Sequence, residues 1–221
     1  MPHLTCIDQE WRDLASLLHA YQADGIHNIL ALRGDAPPGT ENLDRSGQSL
    51  QYAADLIRLI APPAAFSIGI AVYPEGHIAS PSLDADMLYT RDKVEAGADF
   101  AITQMFFDNR YFYRLLDRAQ RWNIDIPIIA AVMPIHDINR VRVFYQRCGA
   151  TMPAWCADRF GDGHLGTEES KKIGVELATA QVADLIAHGV RYFHFYTLNR
   201  HEMVAQIIDN LDLESYGLKS S

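Results

Sequence analysis

The feature that most constrains the fold is an alternation of short apolar runs with amphipathic segments, repeated six times along the chain. The runs are rich in β-branched and aromatic residues, and the segments between them space apolar residues three and four positions apart. The predicted strands cover residues 4–7, 28–32, 66–73, 100–107, 126–133 and 192–196. Strands joined by helices favour right-handed βαβ crossovers, so we predict a parallel sheet in an α/β fold.

One strand carries the clearest signal of a functional site. The apolar run that ends at Leu32 is followed directly by Arg33, Gly34 and Asp35. Barrels and doubly wound folds carry their chemistry at the carboxyl ends of such strands. An isolated tripeptide of this kind is more often a solvated turn, but polar residues also follow the other strands: Tyr73, Glu75, Gln104, Asp108, His136, Thr197, Asn199 and Arg200.

Local signals predict several helix boundaries. Asp8 is a candidate N-cap for the first helix, and Gly25 is suited to end it. The buried face of that helix should carry Leu14, Leu17, Leu18 and Tyr21. Asp108 or Asn109 should cap the helix after the fourth strand.

Length and charge limit the function classes. A chain of 221 residues can bury one core, so we predict a single domain over residues 1–221 with a disordered tail at 212–221. The net charge of −9 argues against a sequence-independent nucleic-acid binder. No run of about 18 apolar residues or signal-like start is present, so we predict no membrane span. Three cysteines without metal or redox spacing indicate reduced thiols and a cytoplasmic protein.

Familiar motifs are mostly absent. Residues 161–166 match G-x-G-x-x-G, but they follow a short helical or irregular piece and not a strand, so we reject a dinucleotide fingerprint. The nine histidines lack ligand spacing, and we predict no metal. Neither a nucleophile elbow nor a P-loop occurs.

Asp86 and Lys93 lie seven residues apart on one predicted helix, and therefore on one face of it. The commoner interpretation of such a pair is a solvated helix face. The alternative is a face turned toward a ligand at the strand ends, with Lys93 available to a phosphate.

Six collinear motifs together resemble the 5,10-methylenetetrahydrofolate reductase family. They are Pro2–Cys6, Leu32–Asp35, Tyr73–Glu75, Ala96–Ala98, Ile102–Gln104 with Phe106–Asp108, and Phe193–Arg200. The resemblance implies a (β/α)8 TIM barrel, here with about six βα units and incomplete at its N-terminus. It also implies FAD as cofactor, NADH or NADPH as hydride source, methylenetetrahydrofolate as substrate in one-carbon and methionine metabolism, and compatibility with a homo-oligomer.

The family's site residues can be carried over by position. Asp35 and Gln104 would be the catalytic residues. FAD would contact His3, Arg33, Gly34, Asp35, Tyr52, Ala53, Tyr73, His77, Asp86 and Lys93. The nicotinamide or folate would contact Asp35, Gln104, Phe144, Tyr196 and Arg200, with Arg200 on the carboxylate tail.

The chain also departs from the family pattern. Tyr89 and Asp92 stand where bacterial members carry Asn and Arg, and Arg140 stands where they carry Gln. The family's first two βα units, with a glutamate that acts as general acid, would precede Pro2. Glu75 is the weak candidate for a replacement acid.

Three functional hypotheses follow. The first is a reductase whose upstream segment is missing from this sequence. The second is a non-catalytic flavin- or folate-binding protein, or a partner subunit. The third is a phosphate-binding barrel of another class, such as an aldolase or lyase, which would need a Schiff-base lysine at a strand end; no predicted strand supplies one.

Overall fold

The computed structural model describes residues 1–36, 39, 50–62, 65–161, 167–214 and 216. Within these residues the strands are β1 (His3–Thr5), β2 (Asn28–Leu32), β3 (Ser67–Val72), β4 (Phe100–Thr103), β5 (Ile128–Val132) and β6 (Phe193–Phe195). The helices are α1 (Trp11–Ala23), α2 (Ala53–Ile60), α3 (Leu83–Glu95), α4 (Asn109–Arg121), α5 (Ile138–Cys148), α6 (Ala154–Ala157), α7 (Thr167–Ala187) and α8 (His201–Asn210). A 3-10 turn at Asp158–Phe160 follows α6.

The six strands form one sheet in sequence order. Pairing is parallel wherever the register is described: His3 lies opposite Leu30, Ile29 opposite Ile68, and Ala131 opposite His194. Parallel neighbours need a crossover, and a helix follows every strand. The predicted α/β class is therefore confirmed.

The chain divides into two compact units. Unit 1 contains Met1–Val72, Asp84–Ile102 and Ala119–Ile128, and unit 2 contains Tyr73–Leu83, Thr103–Arg118 and Ile129–Ser221. The single domain stays a prediction. The predicted tail lies partly outside the described residues, at 215 and 217–221, as do residues 162–166 of the glycine-rich segment.

The fourth strand is shorter than the predicted run 100–107, because it ends at Thr103. The backbone N–H of Met105 donates to the Gln104 side-chain oxygen at 2.9 Å, and the Phe106 carbonyl accepts from Gln181 at 2.8 Å. Side chains thus satisfy backbone groups that a longer strand would pair with its neighbours. Phe106 and Phe107 are buried nevertheless.

Two expectations for α1 are wrong. Its N-cap is Glu10, and Asp8 has a left-handed backbone with φ of 53°. Leu17 is 38% exposed, because the buried stripe is narrow and consists of Leu14 and Leu18. The prediction that Gly25 follows the end of the helix is confirmed, since its φ is 71°.

Unit 2 has an apolar core beneath the β5–α5 connection. Met133, Ile135, Cys156 and Phe160 are buried there. Gly174 of α7 packs directly on Ile135, whose carbonyl oxygen would lie 1.9 Å from an added Cβ. The absence of a side chain at Gly174 thus lets α7 approach the backbone after β5.

Among the described residues, no helix is both long enough and apolar enough to cross a membrane.

Candidate functional site

Four of the predicted site residues directly follow a strand. Arg33 comes after β2, Tyr73 after β3, Gln104 after β4 and Tyr196 after β6. The carboxyl ends of parallel strands are the usual place for ligand-binding residues in α/β folds.

In unit 1, the backbone after β2 is held by the residues after β1. The Arg33 carbonyl accepts from the N–H of Cys6 at 3.2 Å and of Ile7 at 2.9 Å. Gly34 has φ of 85°, and a Cβ there would lie 2.9 Å from Thr5 Cβ. Only glycine fits here, because the backbone is left-handed and Thr5 leaves no room for a Cβ. The exposed Arg33 and Asp35 flank this turn.

A charged network fixes the Arg33 side chain. Its Nε donates to the Gln51 carbonyl at 3.2 Å, and the Gln51 N–H donates to Asp55 at 3.1 Å. Asp55 also pairs with Arg58 at 3.2 Å, and Arg58 contacts Asp92. Asp92, which departs from the family pattern, thus has a partner within unit 1.

Asp86 and Lys93 are turned inward, so the solvated-face interpretation is wrong for them. Asp86 is 6% exposed, and Lys93 Nζ donates to the Ala71 carbonyl of β3 at 2.7 Å. Burial lowers the pKa of Lys93 to about 8, although the nearby carboxylates of Asp86 and Asp92 act in the opposite direction. A partly buried amine of this kind is suited to binding an anion.

The other predicted FAD residues of unit 1 lie nearer the surface. His3 is exposed in β1, and Tyr52 is 62% exposed immediately before α2. The Tyr52 N–H donates to Asp55 at 2.9 Å, which fixes the first turn of α2 at Ala53.

In unit 2, Tyr73 and His77 contact each other edge to face, with ring centroids 4.6 Å apart. His77 Nδ1 accepts from the Ala79 N–H at 3.0 Å. The proton of the neutral ring is therefore assigned to Nε2, which can donate to a ligand.

Gln104 lies in a shallow cleft that Tyr73, Glu75 and Gly149 also line. Its Oε1 accepts from Met105, so its amide N–H groups are the part able to meet a ligand. Tyr73 and Gln104 therefore line the same cleft of unit 2, while their roles stay a prediction.

Thr103 is a supporting residue that the sequence analysis did not assign a role. Its buried Oγ1 accepts from the Ala131 N–H at 2.9 Å, and its carbonyl accepts from the Tyr196 hydroxyl at 3.1 Å. Burial raises the pKa of Tyr196 to about 12. Thr103 lies within one of the motifs that carry the family resemblance, but the motif alone did not indicate these two hydrogen bonds.

Glu75 serves a structural purpose. Its Oε1 accepts from the Thr151 N–H at 2.9 Å. This hydrogen bond holds the carboxylate against the backbone of Thr151, so the structure does not favour Glu75 as the replacement acid.

Phe144 and Arg200 lie on separate helical elements of unit 2. Phe144 is 47% exposed on α5. Arg200 is the N-cap of α8, and two left-handed residues, Leu198 and Asn199, bring the chain into it from β6. A left-handed leucine is strained, which indicates that this turn is imposed by its surroundings.

A cavity of about 520 Å³ lies elsewhere in unit 2, beside α4 and α7, where Trp155 and Asp184 line it. None of the predicted site residues lines that cavity. No group of three or more potential metal ligands occurs among the described residues.

The parallel sheet with a helix after every strand defines an α/β protein that carries cationic, amide and aromatic side chains directly after its strands. Residues 1–212 match the family model described as methylenetetrahydrofolate reductase. The chain belongs to the methylenetetrahydrofolate reductase family.

Relatives from bacteria and fungi agree with this assignment. The chain is 40% identical over 210 residues to the 5,10-methylenetetrahydrofolate reductase of Escherichia coli (strain K12), a match that spans 95% of this chain and 69% of the relative. It is 35% identical over 226 residues to methylenetetrahydrofolate reductase 2 of Schizosaccharomyces pombe, spanning 96% of this chain and 35% of the relative.

Among solved structures, an uncharacterized protein from Clostridium thermocellum, described as binding two copies of 5-methyl-5,6,7,8-tetrahydrofolic acid, aligns with 94% of this chain and 92% of its own. The sequence identity is 14% and the TM-score is 0.49, which supports no conclusion about this chain.

Proposed function

We propose that this chain reduces 5,10-methylenetetrahydrofolate to 5-methyltetrahydrofolate with FAD as cofactor and NADH or NADPH as hydride source. The main support is its family membership over residues 1–212, combined with four polar or aromatic residues that directly follow strands. We further propose a cytoplasmic location and a role in one-carbon metabolism.

Arg33 and Lys93 of unit 1 fit an anionic dinucleotide. Lys93 brings a partly buried amine to the end of β3, and Arg33 is an exposed cation directly after β2. In this proposal Arg33 and Lys93 bind phosphate oxygens, and His77 Nε2 donates to another, because charge-assisted hydrogen bonds to phosphate are strong. His3, Asp86, Tyr52, Ala53 and Tyr73 complete the proposed cofactor contacts.

The chemistry that the bound cofactor supplies is hydride transfer from the nicotinamide to the folate in two separate half-reactions. Asp35 is exposed after Gly34 and would accept hydrogen bonds from the paired N–H donors of the pterin. Gln104, whose oxygen is already engaged, would donate its amide N–H groups to the pterin or the nicotinamide. Tyr196 would hold Gln104 in place through Thr103.

The remaining substrate contacts involve one ring and one cation. The half-exposed ring of Phe144 would stack on the folate or on the nucleotide. Arg200 would bind a carboxylate of the folate tail.

A second candidate function is a flavin- or folate-binding protein without turnover, acting alone or with a partner subunit. This candidate is favoured because Glu75 accepts a hydrogen bond from the Thr151 N–H. Among the described residues we therefore assign none as the general acid.

Visible absorption of the purified protein separates the two candidates. The reductase should be yellow, should bleach when NADH or NADPH is added without oxygen, and should recover its colour when methylenetetrahydrofolate follows. A yellow protein that neither bleaches nor recovers supports the non-catalytic candidate. A colourless folded protein that takes up no added FAD contradicts both flavin-binding forms.

A further inference from the structure

Glu75 joins two segments of unit 2 that are far apart in the sequence. It belongs to the loop after β3, residues 73–82, which we call the β3 loop. Its Oε1 accepts from the Thr151 N–H at 2.9 Å, a contact that spans 76 positions of the chain. Thr151 lies just after α5, within residues 149–152. Hydrogen bonds from backbone N–H groups to carboxylates are charge-assisted and stronger than neutral ones, so this contact can hold the two segments together.

The far part of the β3 loop is organised by its own groups. The Ser80 N–H donates to the His77 carbonyl at 2.8 Å, and the Ala79 N–H donates to His77 Nδ1 at 3.0 Å. These bonds shape the loop without attaching it to another element. At its start, Arg118 Nη2 of α4 donates to the Pro74 carbonyl at 2.6 Å. The position of the His77 ring therefore depends on how the first residues of the loop are held.

The end of α5 packs against the same loop. Gly149 caps the helix with φ of 72°, and a Cβ there would lie 3.6 Å from Ile78 Cβ and 3.9 Å from the Gly76 carbonyl oxygen. The helix also carries Phe144, whose ring is half-exposed. Because a short helix moves nearly as a rigid body, contacts at its end also limit where the Phe144 ring can lie.

Both segments line the cleft that contains Gln104. Tyr73 and Glu75 come from the β3 loop, and Gly149 and Ala150 come from the residues after α5. The hydrogen bond of Glu75 therefore connects the two walls of this cleft. Its loss would alter the cleft without removing any atom of Gln104.

We propose that Glu75 is a positioning residue, which holds the β3 loop against the end of α5 through Thr151 and thereby fixes His77 relative to Phe144. This inference rests on the proposed function, in which His77 contacts the cofactor and Phe144 stacks on the nicotinamide nucleotide or the folate. Loss of the link should weaken binding of the stacked reactant more than it slows hydride transfer, because Gln104 keeps its own hydrogen bond to Met105.

Three variants of the full chain test the role of Glu75. Glu75→Ala removes the acceptor, whereas Glu75→Gln keeps an amide oxygen that can accept from the Thr151 N–H. Glu95→Ala is the matched control, because the Glu95 side chain is 66% exposed on α3 and takes no part in the proposed site. Circular dichroism verifies that all three variants are folded.

Amide hydrogen exchange, followed by NMR without any ligand, tests the link itself. In Glu75→Ala the Thr151 amide should exchange roughly tenfold faster, because its acceptor is lost. The Ala79 amide should also exchange faster, since the β3 loop is then free to move. Glu75→Gln should change both rates less than about threefold, and Glu95→Ala should change neither. An unprotected Thr151 amide in the wild-type protein would overturn the proposal.

Steady-state kinetics of the FAD-loaded protein, with NADH or NADPH and a quinone acceptor, test the consequence. Glu75→Ala should raise the KM for the nucleotide about fivefold and change kcat less than about twofold, because binding and not chemistry is affected. Glu75→Gln should restore most of the wild-type KM. A fall in kcat at unchanged KM would show that Glu75 acts in the chemistry, and an equal rise in KM for both variants would exclude the hydrogen bond as the cause. An unchanged KM despite faster exchange would show that the link positions nothing. Each of these three results overturns the proposal.

The two readouts distinguish this proposal from the proposed function. If the wild-type protein takes up no FAD, or oxidises neither nucleotide, the proposed function fails and amide exchange alone decides the role of Glu75. The link stands if the Thr151 and Ala79 amides lose protection in Glu75→Ala and keep it in Glu75→Gln. With any other exchange pattern, both proposals fail.

Discussion

The strand ends after β2 and after β4 are organised by different forces. After β2, charged side chains link Arg33 through Gln51 and Asp55 to Arg58 and Asp92. After β4, neutral groups fix the strand end: Thr103 accepts hydrogen bonds from the Ala131 N–H and the Tyr196 hydroxyl. Exposed ion pairs are weak and sensitive to salt, whereas buried neutral hydrogen bonds are costly to break.

This difference suits the ligands that we propose for the two ends. A phosphate-bearing cofactor would be recognised by cations such as Arg33 after β2 and Lys93 beside β3. A flat heterocycle is recognised by a donor whose position is fixed, such as the Gln104 amide. If this comparison holds, rigid hydrogen bonding belongs to the β4 end and charge to the β2 end.

The largest effect on stability is expected at Gly34, because close packing against Thr5, and not charge, determines the backbone there. Gly34→Ala should lower the free energy of unfolding by about 3 kcal/mol, because an added Cβ overpacks against Thr5 and the backbone is left-handed. Gly25→Ala is the matched control, since Gly25 has φ of 71° but nothing within 4 Å of an added Cβ. Urea denaturation measures both, and equal losses would refute the packing argument.

Lys93 should destabilise the ligand-free protein. Lys93→Met should raise the free energy of unfolding at pH 7 by roughly 2 kcal/mol, because a buried ammonium is replaced by an apolar chain of similar length. Glu95→Gln, an exposed change on the same helix, should have little effect.

The pH dependence of stability gives a second test of Lys93. Its pKa is about 8 in the folded protein and 10.5 when unfolded. The unfolded chain binds more protons between these values, so wild-type stability should rise from pH 8 to 10.5 by an amount that Lys93→Met lacks. Parallel curves for the two proteins would contradict the assignment.

Thr103 tests the rigidity of the β4 end. Thr103→Val keeps the shape but leaves the buried Ala131 N–H without an acceptor, which should cost about 2 kcal/mol. Tyr196→Phe, which removes only the donor to the Thr103 carbonyl, should cost about 1 kcal/mol. Thermal unfolding ranks the two, and a smaller loss for the threonine variant would reverse the argument.

The smallest effect is expected for the ionic network. Arg58 and Asp92 have side chains that are 50% and 48% exposed, so Arg58→Gln should cost less than about 1 kcal/mol. The loss should decrease further in high salt. A loss as large as that of Thr103→Val would erase the contrast between the two ends.

The sequence predicted the elements well where a local pattern determines them. The six strands appear in the expected order, and four site residues directly follow strands. The end of β4 was misplaced because Gln104 and Gln181 satisfy backbone groups through side chains, which hydrophobic periodicity does not report. The inward position of Lys93 depends on contact with Ala71 in a strand 22 residues away, so spacing along one helix left two interpretations open.

Thr103 was assigned no role for a related reason, although it lies in the Ile102–Gln104 motif. The function of its side chain arises from partners distant in sequence, because its Oγ1 accepts from Ala131 and its carbonyl accepts from Tyr196. Spacing along the chain does not report such contacts.

The most direct test of the account is the pH dependence of FAD affinity. We expect FAD to bind wild-type protein with constant affinity below pH 8 and more weakly above it, because Lys93 loses its charge through its pKa of about 8. Glu95→Gln should behave like wild type, and Lys93→Met should bind FAD weakly at every pH. Undiminished FAD binding by Lys93→Met would contradict the claim that a partly buried cation beside β3 recognises the cofactor.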